Sequence, residues 1–142
     1  MADEAPTPRR LAVDLSGQVA LVTGASQGLG RAIAETLAAA GATVALVARS
    51  ADKLADVAAG VAAAGGKAEA FSCDVRDAAS IQKTVDDVVA KLGRLDILVN
   101  NAGVTRDTLL PRMSDEEWDD VLTTNLRGPF LFMRAASRPM MQ

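Results

Sequence analysis

Neither histidine nor tyrosine occurs anywhere in this chain of 142 residues. The two side chains most often used to pass a proton to a developing alkoxide near neutral pH are therefore missing. Cysteine is almost absent too. Cys73 stands alone, which excludes an internal disulfide and suits a reducing compartment, so a cytoplasmic location is expected. Aromatic residues make up only 3% of the chain, and its apolar content is mostly alanine and valine. No apolar run is long enough to span a membrane, so no membrane partner is expected. Basic residues are not in excess either: the net charge is −3, which argues against a nucleic-acid partner. Arg9 and Arg10 are not followed by a signal-peptide block, and Pro6 and Pro8 mark residues 1–13 as a disordered tail. No metal-ligand cluster is apparent.

What is present is a regular alternation of strand and helix signals. Val19 to Val22 is continuously apolar, as a parallel strand covered on both faces should be. Leu29, Ile33 and Leu37 recur at helical spacing, and Gly41 ends that helix. Thr43 to Val47 reads as a second strand. A helix from Ala51 to Ala64 follows, capped by Ser50 and stopped by Gly65 and Gly66. Lys67 to Ser72 is a third strand. Ile81, Val85, Val88, Val89 and Leu92 form the apolar face of a third helix, which Gly93 closes. Leu95 to Val99 is the fourth strand, and a loop runs from Asn100 to Met113. Ser114 to Glu117 is a capping box that opens a helix expected to bend near Asn125, because Pro129 lacks an N–H, and to resume through Phe130, Met133 and Met140. Strands joined by helical crossovers predict an α/β fold of the doubly wound, Rossmann type: a parallel sheet of about four strands in the order 3-2-1-4, occupying residues 14–142. In that order the loops at Gly24 and Asn100 open into one crevice.

The segment Thr23-Gly24-x-x-x-Gly28-x-Gly30 lies between a strand and a helix, the setting in which such glycines cradle a pyrophosphate at a helix N-terminus. A ligand-free tight turn is the plain alternative. Ser26 is equally suited to the turn or to a phosphate contact. At the end of the second strand, Ala48-Arg49-Ser50 holds no carboxylate, so NADP is expected rather than NAD, with Arg49 facing the 2′-phosphate; a solvated surface arginine is the alternative. Asp74 and Val75 follow the third strand beside the expected adenine, although Asp74 could simply start a helix. Asn100 and Asn101 follow the fourth strand, where their amides can tie to neighbouring backbone, and Ala102-Gly103 is small enough for a sugar to pack closely; a mere turn is the plain alternative.

Thr23 to Gly30, Asn100 to Gly103 and Asn125 together resemble the short-chain dehydrogenase/reductase family. Within it, Asn101 to Leu110 and Arg112 to Asp119 are similar to 3-oxoacyl-[acyl-carrier-protein] reductases. The resemblance runs from about Asp14 to the last residue. It implies that Gly24, Ser26, Gln27, Gly28, Leu29 and Gly30 meet the phosphates of NADPH. It also implies that Arg49 meets the 2′-phosphate, Asp74 and Val75 the adenine, and Asn101, Ala102 and Gly103 the nicotinamide ribose. Asn125 would be catalytic, through a water relay to a lysine; stabilisation of the helix kink is its plain alternative, and the resemblance implies both. Gln27 departs from the pattern, since many NADP-dependent members carry a basic residue there. The family's catalytic serine and Tyr-x-x-x-Lys pair have no counterpart here, so the chain is expected to be a truncated, inactive N-terminal part, with the second half of the fold missing. The complete protein is expected to be a homo-oligomer, dimer or tetramer, reducing a 3-oxoacyl thioester, small or carrier-protein-bound, in fatty-acid synthesis. Another alcohol, sugar or ketone substrate, or a non-catalytic nucleotide-binding fragment, remain open alternatives.

Overall fold

The computed structural model describes residues 12–142. Most of the expected tail therefore lies outside the described residues; Ala12 and Val13 are exposed and irregular. Four parallel strands form one sheet in the order β3-β2-β1-β4. They are β1 (Val19–Thr23), β2 (Thr43–Ala48), β3 (Lys67–Ser72) and β4 (Ile97–Val99), joined by the helices α1 (Gly28–Ala39), α2 (Ala51–Ala63) and α3 (Ala78–Leu92). The expected order is the observed one.

Alternate residues of the central strands feed two separate cores. Val19, Leu21, Ala45 and Val47 face Ile81, Val85 and Val88 of α3 together with Leu131, Phe132 and Ala136 farther along the chain. Ala20, Val22, Val44 and Leu46 face Ala34 and Ala38 of α1 and Leu54, Val57 and Val61 of α2. Both faces of β1 and β2 are thus covered, which is why these strands read as unbroken apolar runs. Each fully buried Leu or Val contributes roughly 1.5–3 kcal/mol by leaving water.

The helix α1 corrects one expectation. Its buried residues are Gly30, Ala34 and Ala38, whereas Leu29 is 70% exposed. Small residues let the helix approach the sheet closely; Ile33 and Leu37 pack at the margin of that core, and Leu29 points outward from the first turn.

The fourth strand is shorter than the expected Leu95 to Val99. Leu95 is buried but precedes it, and Asp96 continues the ladder by other means. Its N–H donates to the Val19 carbonyl at 2.9 Å, and its Oδ2 accepts the Val19 N–H at 2.8 Å. Arg94 donates to both carboxylate oxygens, Nη2 to Oδ1 at 2.6 Å and Nε to Oδ2 at 2.8 Å. The Arg94 guanidinium, with help from the Val19 N–H, holds the Asp96 carboxyl below its ordinary pKa. A depressed folded pKa contributes stability that is present above the unfolded value of about 3.9 and is lost as pH falls through the lower folded value. Asp96→Asn should cost about 1 kcal/mol at neutral pH. Its denaturation midpoint should also fall less steeply than the wild type's below about pH 4; parallel acid limbs would remove Asp96 as the cause.

The capping box is present: Ser114 Oγ accepts the Glu117 N–H, and Glu117 Oε2 accepts the Ser114 N–H, opening α4 (Asp115–Leu122). The expected bend is a π-helical segment, Thr123–Arg127, which leads into α5 (Gly128–Met140). Pro129 has no N–H for the Asn125 carbonyl, so the α ladder cannot run through this point. The side of α5 turned inward is Gly128, Leu131, Phe132, Ala135 and Ala136. The helix resumes through Phe130, Met133 and Met140 as expected, and these three side chains are exposed. No helix among the described residues is long and apolar enough to cross a membrane.

Candidate functional site

The C-terminal ends of all four strands meet one cleft of about 630 Å³. Gly24, Ser26, Gln27 and Gly28 line it from the β1–α1 turn, Arg49 from the end of β2, and Asp74 and Val75 from the end of β3. Asn101, Ala102 and Gly103 line it after β4. Ten of the residues singled out from the sequence therefore share one wall or another of the same space. Leu29, Gly30 and Asn125 do not line it.

Thr23 is the pin of the site, and sequence reasoning passed over it as the residue before the first glycine. It is only 2% exposed. Its Oγ1 accepts the N–H groups of Asn101 and Ala102, both at 2.9 Å, and donates to the Val99 carbonyl at 3.4 Å. The Asn101 amide donates in turn to the carbonyls of Thr23 and Gly24, at 3.2 and 3.4 Å. The glycine turn and the loop after β4 are thereby locked edge to edge. That close contact explains Gly30: a Cβ there would lie 2.1 Å from the Gly24 carbonyl oxygen and 2.5 Å from Asn101 Nδ2. Gly28 is different. It has φ +57°, and a Cβ would meet nothing within 4 Å, because it would stand in the open cleft.

At the N-terminus of α1, Gln27 is the cap residue and makes no side-chain capping bond. The first-turn N–H groups there are left for another acceptor. Asp74 does not start the following helix, whose cap is Asp77; instead its Oδ1 accepts the Arg76 N–H at 2.9 Å and shapes the turn at the cleft wall. Cys73 is buried beside it and accepts a hydrogen bond from Ser80 Oγ at 3.5 Å. Asn125 sits behind the cleft on the π turn. Its Oδ1 accepts the Val104 N–H and its Nδ2 donates to the Val104 carbonyl, each at 2.7 Å. One side chain thus holds the loop that carries Asn101 to Gly103.

The cleft is cationic in a chain whose net charge is negative. Arg49, Lys53, Arg76 and Arg106 line it against Asp74 and Asp120. Asp120 of α4 accepts from Arg76 at 3.3 Å and from Arg106 at 2.5 Å, tying two loops to that helix. These ion pairs, like Thr23, join residues far apart in the chain. Lys53 was legible in principle, since it lies four residues after Arg49 at the start of a capped helix.

The sequence matches the short chain dehydrogenase family over residues 18–142. It is 48% identical over 133 residues to 3-oxoacyl-[acyl-carrier-protein] reductase FabG of Escherichia coli (strain K12), covering 92% of this chain and 52% of that protein. It is 44% identical over 128 residues to D-threitol dehydrogenase of Mycolicibacterium smegmatis (strain ATCC 700084 / mc(2)155), covering 90% of this chain and 49% of that one. The chain spans about half the length of the curated relatives it matches. A crystal structure of a metagenomic short-chain oxidoreductase in complex with NADP superposes with a TM-score of 0.86 at 46% identity, over 89% of this chain and 58% of that one. Fold, cleft and sequence agree: the chain belongs to the short-chain dehydrogenase family.

Proposed function

We propose that this chain forms the NADP-binding part of an NADPH-dependent reductase of 3-oxoacyl thioesters. The observation that carries the nucleotide reading is the cleft itself: glycine turn, uncapped helix N-terminus and surplus positive charge converge where the four strands end. The residues fit a dinucleotide. The open space over Gly28 admits a phosphate backbone that any side chain there would obstruct. Gly24, Ser26, Gln27, Gly28, Leu29 and Gly30 would hold the phosphates, Leu29 through its main chain and Gly30 by letting α1 seat against the turn. Asp74 and Val75 would flank the adenine, and Asn101, Ala102 and Gly103 the second ribose. When bound, NADPH would supply the hydride for carbonyl reduction.

The chain's own part is to place that cofactor and keep the cleft in shape. Thr23 and Asn101 fix the turn against the loop, and Asn125 fixes the loop against the π turn. With its side chain committed to Val104, Asn125 still presents a main-chain carbonyl that Pro129 leaves without an i+4 donor. That carbonyl is suited to accept a hydrogen bond from a relay water, the catalytic role assigned here to Asn125. Similarity to the FabG reductases supports a 3-oxoacyl thioester, small or carrier-protein-bound, and a role in fatty-acid synthesis; the threitol dehydrogenase supports a polyol as the second reading. A panel of acetoacetyl thioester, ketones and sugar alcohols, assayed with the complete protein, separates them: preferred turnover of a polyol would overturn the thioester reading.

Choice of NADP over NAD rests on Arg49, which stands where an NAD site would place a carboxylate. A lost charge-assisted contact to the 2′-phosphate is worth about 1.5–3 kcal/mol. Arg49→Ala should therefore weaken NADPH by about tenfold or more, with NADH nearly unchanged. Equal losses for both cofactors in steady-state kinetics would sink the assignment.

A further inference from the structure

We infer that Lys53 is a second cation for the 2′-phosphate of the dinucleotide, replacing the basic residue that Gln27 does not supply. The inference rests on the NADP reading above and adds a residue to it. Lys53 lies on the first turn of α2, four residues beyond Arg49, and both line the cleft. Residue 53 is fixed there by the helix cap, because Ser50 Oγ accepts its N–H at 3.4 Å. From α2 the side chain reaches across to the start of α1, where Nζ donates to Gln27 Oε1 at 3.5 Å. The ammonium group thus stands between the end of β2 and the glycine turn, the two segments that would flank a phosphorylated ribose.

The pairing of the cleft cations points the same way. Arg76 and Arg106 share the carboxylate of Asp120. Among the described residues, Arg49 and Lys53 form no ion pair. Two cations without an ion-pair partner, four residues apart and both lining the cleft, suit a dianionic group better than a monoanion. Asp52, the one acidic residue in the first turn of α2, is not part of the cleft lining. Gln27 is neutral and offers only an amide, so the charge on the α1 side of this group has to come from Lys53. The contact to Gln27 is long and would yield readily to a phosphate oxygen.

The test uses the intact protein and binding rather than turnover. Dissociation constants for NADPH and NADH are read from nucleotide fluorescence, and those for adenosine 2′,5′-bisphosphate and 5′-AMP by calorimetry. Lys53→Met should weaken NADPH and the bisphosphate about fivefold, as expected for an exposed charge pair, and leave NADH and AMP within about twofold. Lys53→Arg should keep the wild-type preference. An unchanged NADPH constant in Lys53→Met, or equal weakening of NADPH and NADH, would overturn the inference. If Arg49→Met abolishes the preference while Lys53→Met retains it, Lys53 falls and the NADP reading stands. A wild type that binds NADH as tightly as NADPH would take down both.

Discussion

Gly30→Ala should cost the domain its stability, whereas Gly28→Val should leave it folded and unable to bind a dinucleotide. The two glycines are two residues apart and fail for different reasons. A methyl at position 30 would overlap the Gly24 carbonyl oxygen at 2.1 Å and the Asn101 amide at 2.5 Å. Neither can retreat cheaply. The carbonyl belongs to the turn that Thr23 anchors, and the amide is bonded to the carbonyls of Thr23 and Gly24. Overpacking of this kind costs about 1–3 kcal/mol before the broken hydrogen bonds are counted. A loss of about 3 kcal/mol or more is therefore expected, read as a fall in the denaturation midpoint. At position 28 no atom is struck. The positive φ costs a side chain about 1–2 kcal/mol, a tolerable loss, but the isopropyl group then occupies the cleft where a phosphate should approach the backbone. Circular dichroism of Gly28→Val should match the wild type while cofactor fluorescence shows no saturation. Unchanged binding in that variant would turn the glycine segment back into a plain turn. A Gly30→Ala unfolding free energy within about 1 kcal/mol of wild type would refute the account of the interlock.

That contrast also marks where reading the sequence succeeds and where it stops. β1 and β2 stand out because both their faces are buried, and their order follows from right-handed crossovers between parallel strands. The cleft residues at Gly24, Arg49, Asp74 and Asn101 are legible for a related reason: each lies within two residues of a strand's end, and strand ends of a doubly wound sheet converge. Helix orientation is harder. Leu29, Ile33 and Leu37 form a tidy apolar period, yet the face against the sheet is Gly30, Ala34 and Ala38. Hydrophobic periodicity cannot register a face chosen for its smallness rather than its apolar area. The pins were out of reach altogether. Thr23 meets Asn101 across 78 positions and Asp96 meets Val19 across 77, and no local pattern encodes either pairing. Pro129 did announce a break in the last helix, but a proline says only that the α ladder fails. That the break takes the form of a π turn, with Asn125 clasping Val104, depends on a loop more than twenty residues upstream.

A polypeptide of these 142 residues, assayed alone, should oxidise no NADPH in the presence of acetoacetyl thioester and should elute from a sizing column as associated species. The first half of this prediction follows from composition. Reduction of a carbonyl leaves an alkoxide that must be protonated, and a placed general acid is typically worth about 10²–10⁴ in rate. The chain contains no tyrosine and no histidine. Cys73 reaches the cleft wall beside Asp74 at the end of β3, but it is only 2% exposed and its sulfur is engaged by Ser80, at the side of the cleft proposed for the adenine. Even with the cofactor well seated, protonation of the alkoxide should be the step that fails. The second half follows from topology. β4 lies at the end of the sheet and pairs with β1 alone among the described residues, which leaves a row of backbone groups open to another chain. Nearby, Trp118, Leu122, Leu126, Phe130 and Met133 are exposed at intervals of about one helical turn along α4, the π segment and α5. An unpaired edge and an apolar stripe on one small domain favour association over a monodisperse monomer. Turnover matching that of a complete homologue would refute the argument from composition. A sharp monomer peak that melts cooperatively would show that the edge and the stripe are tolerated in water, and the argument from topology would fall with it.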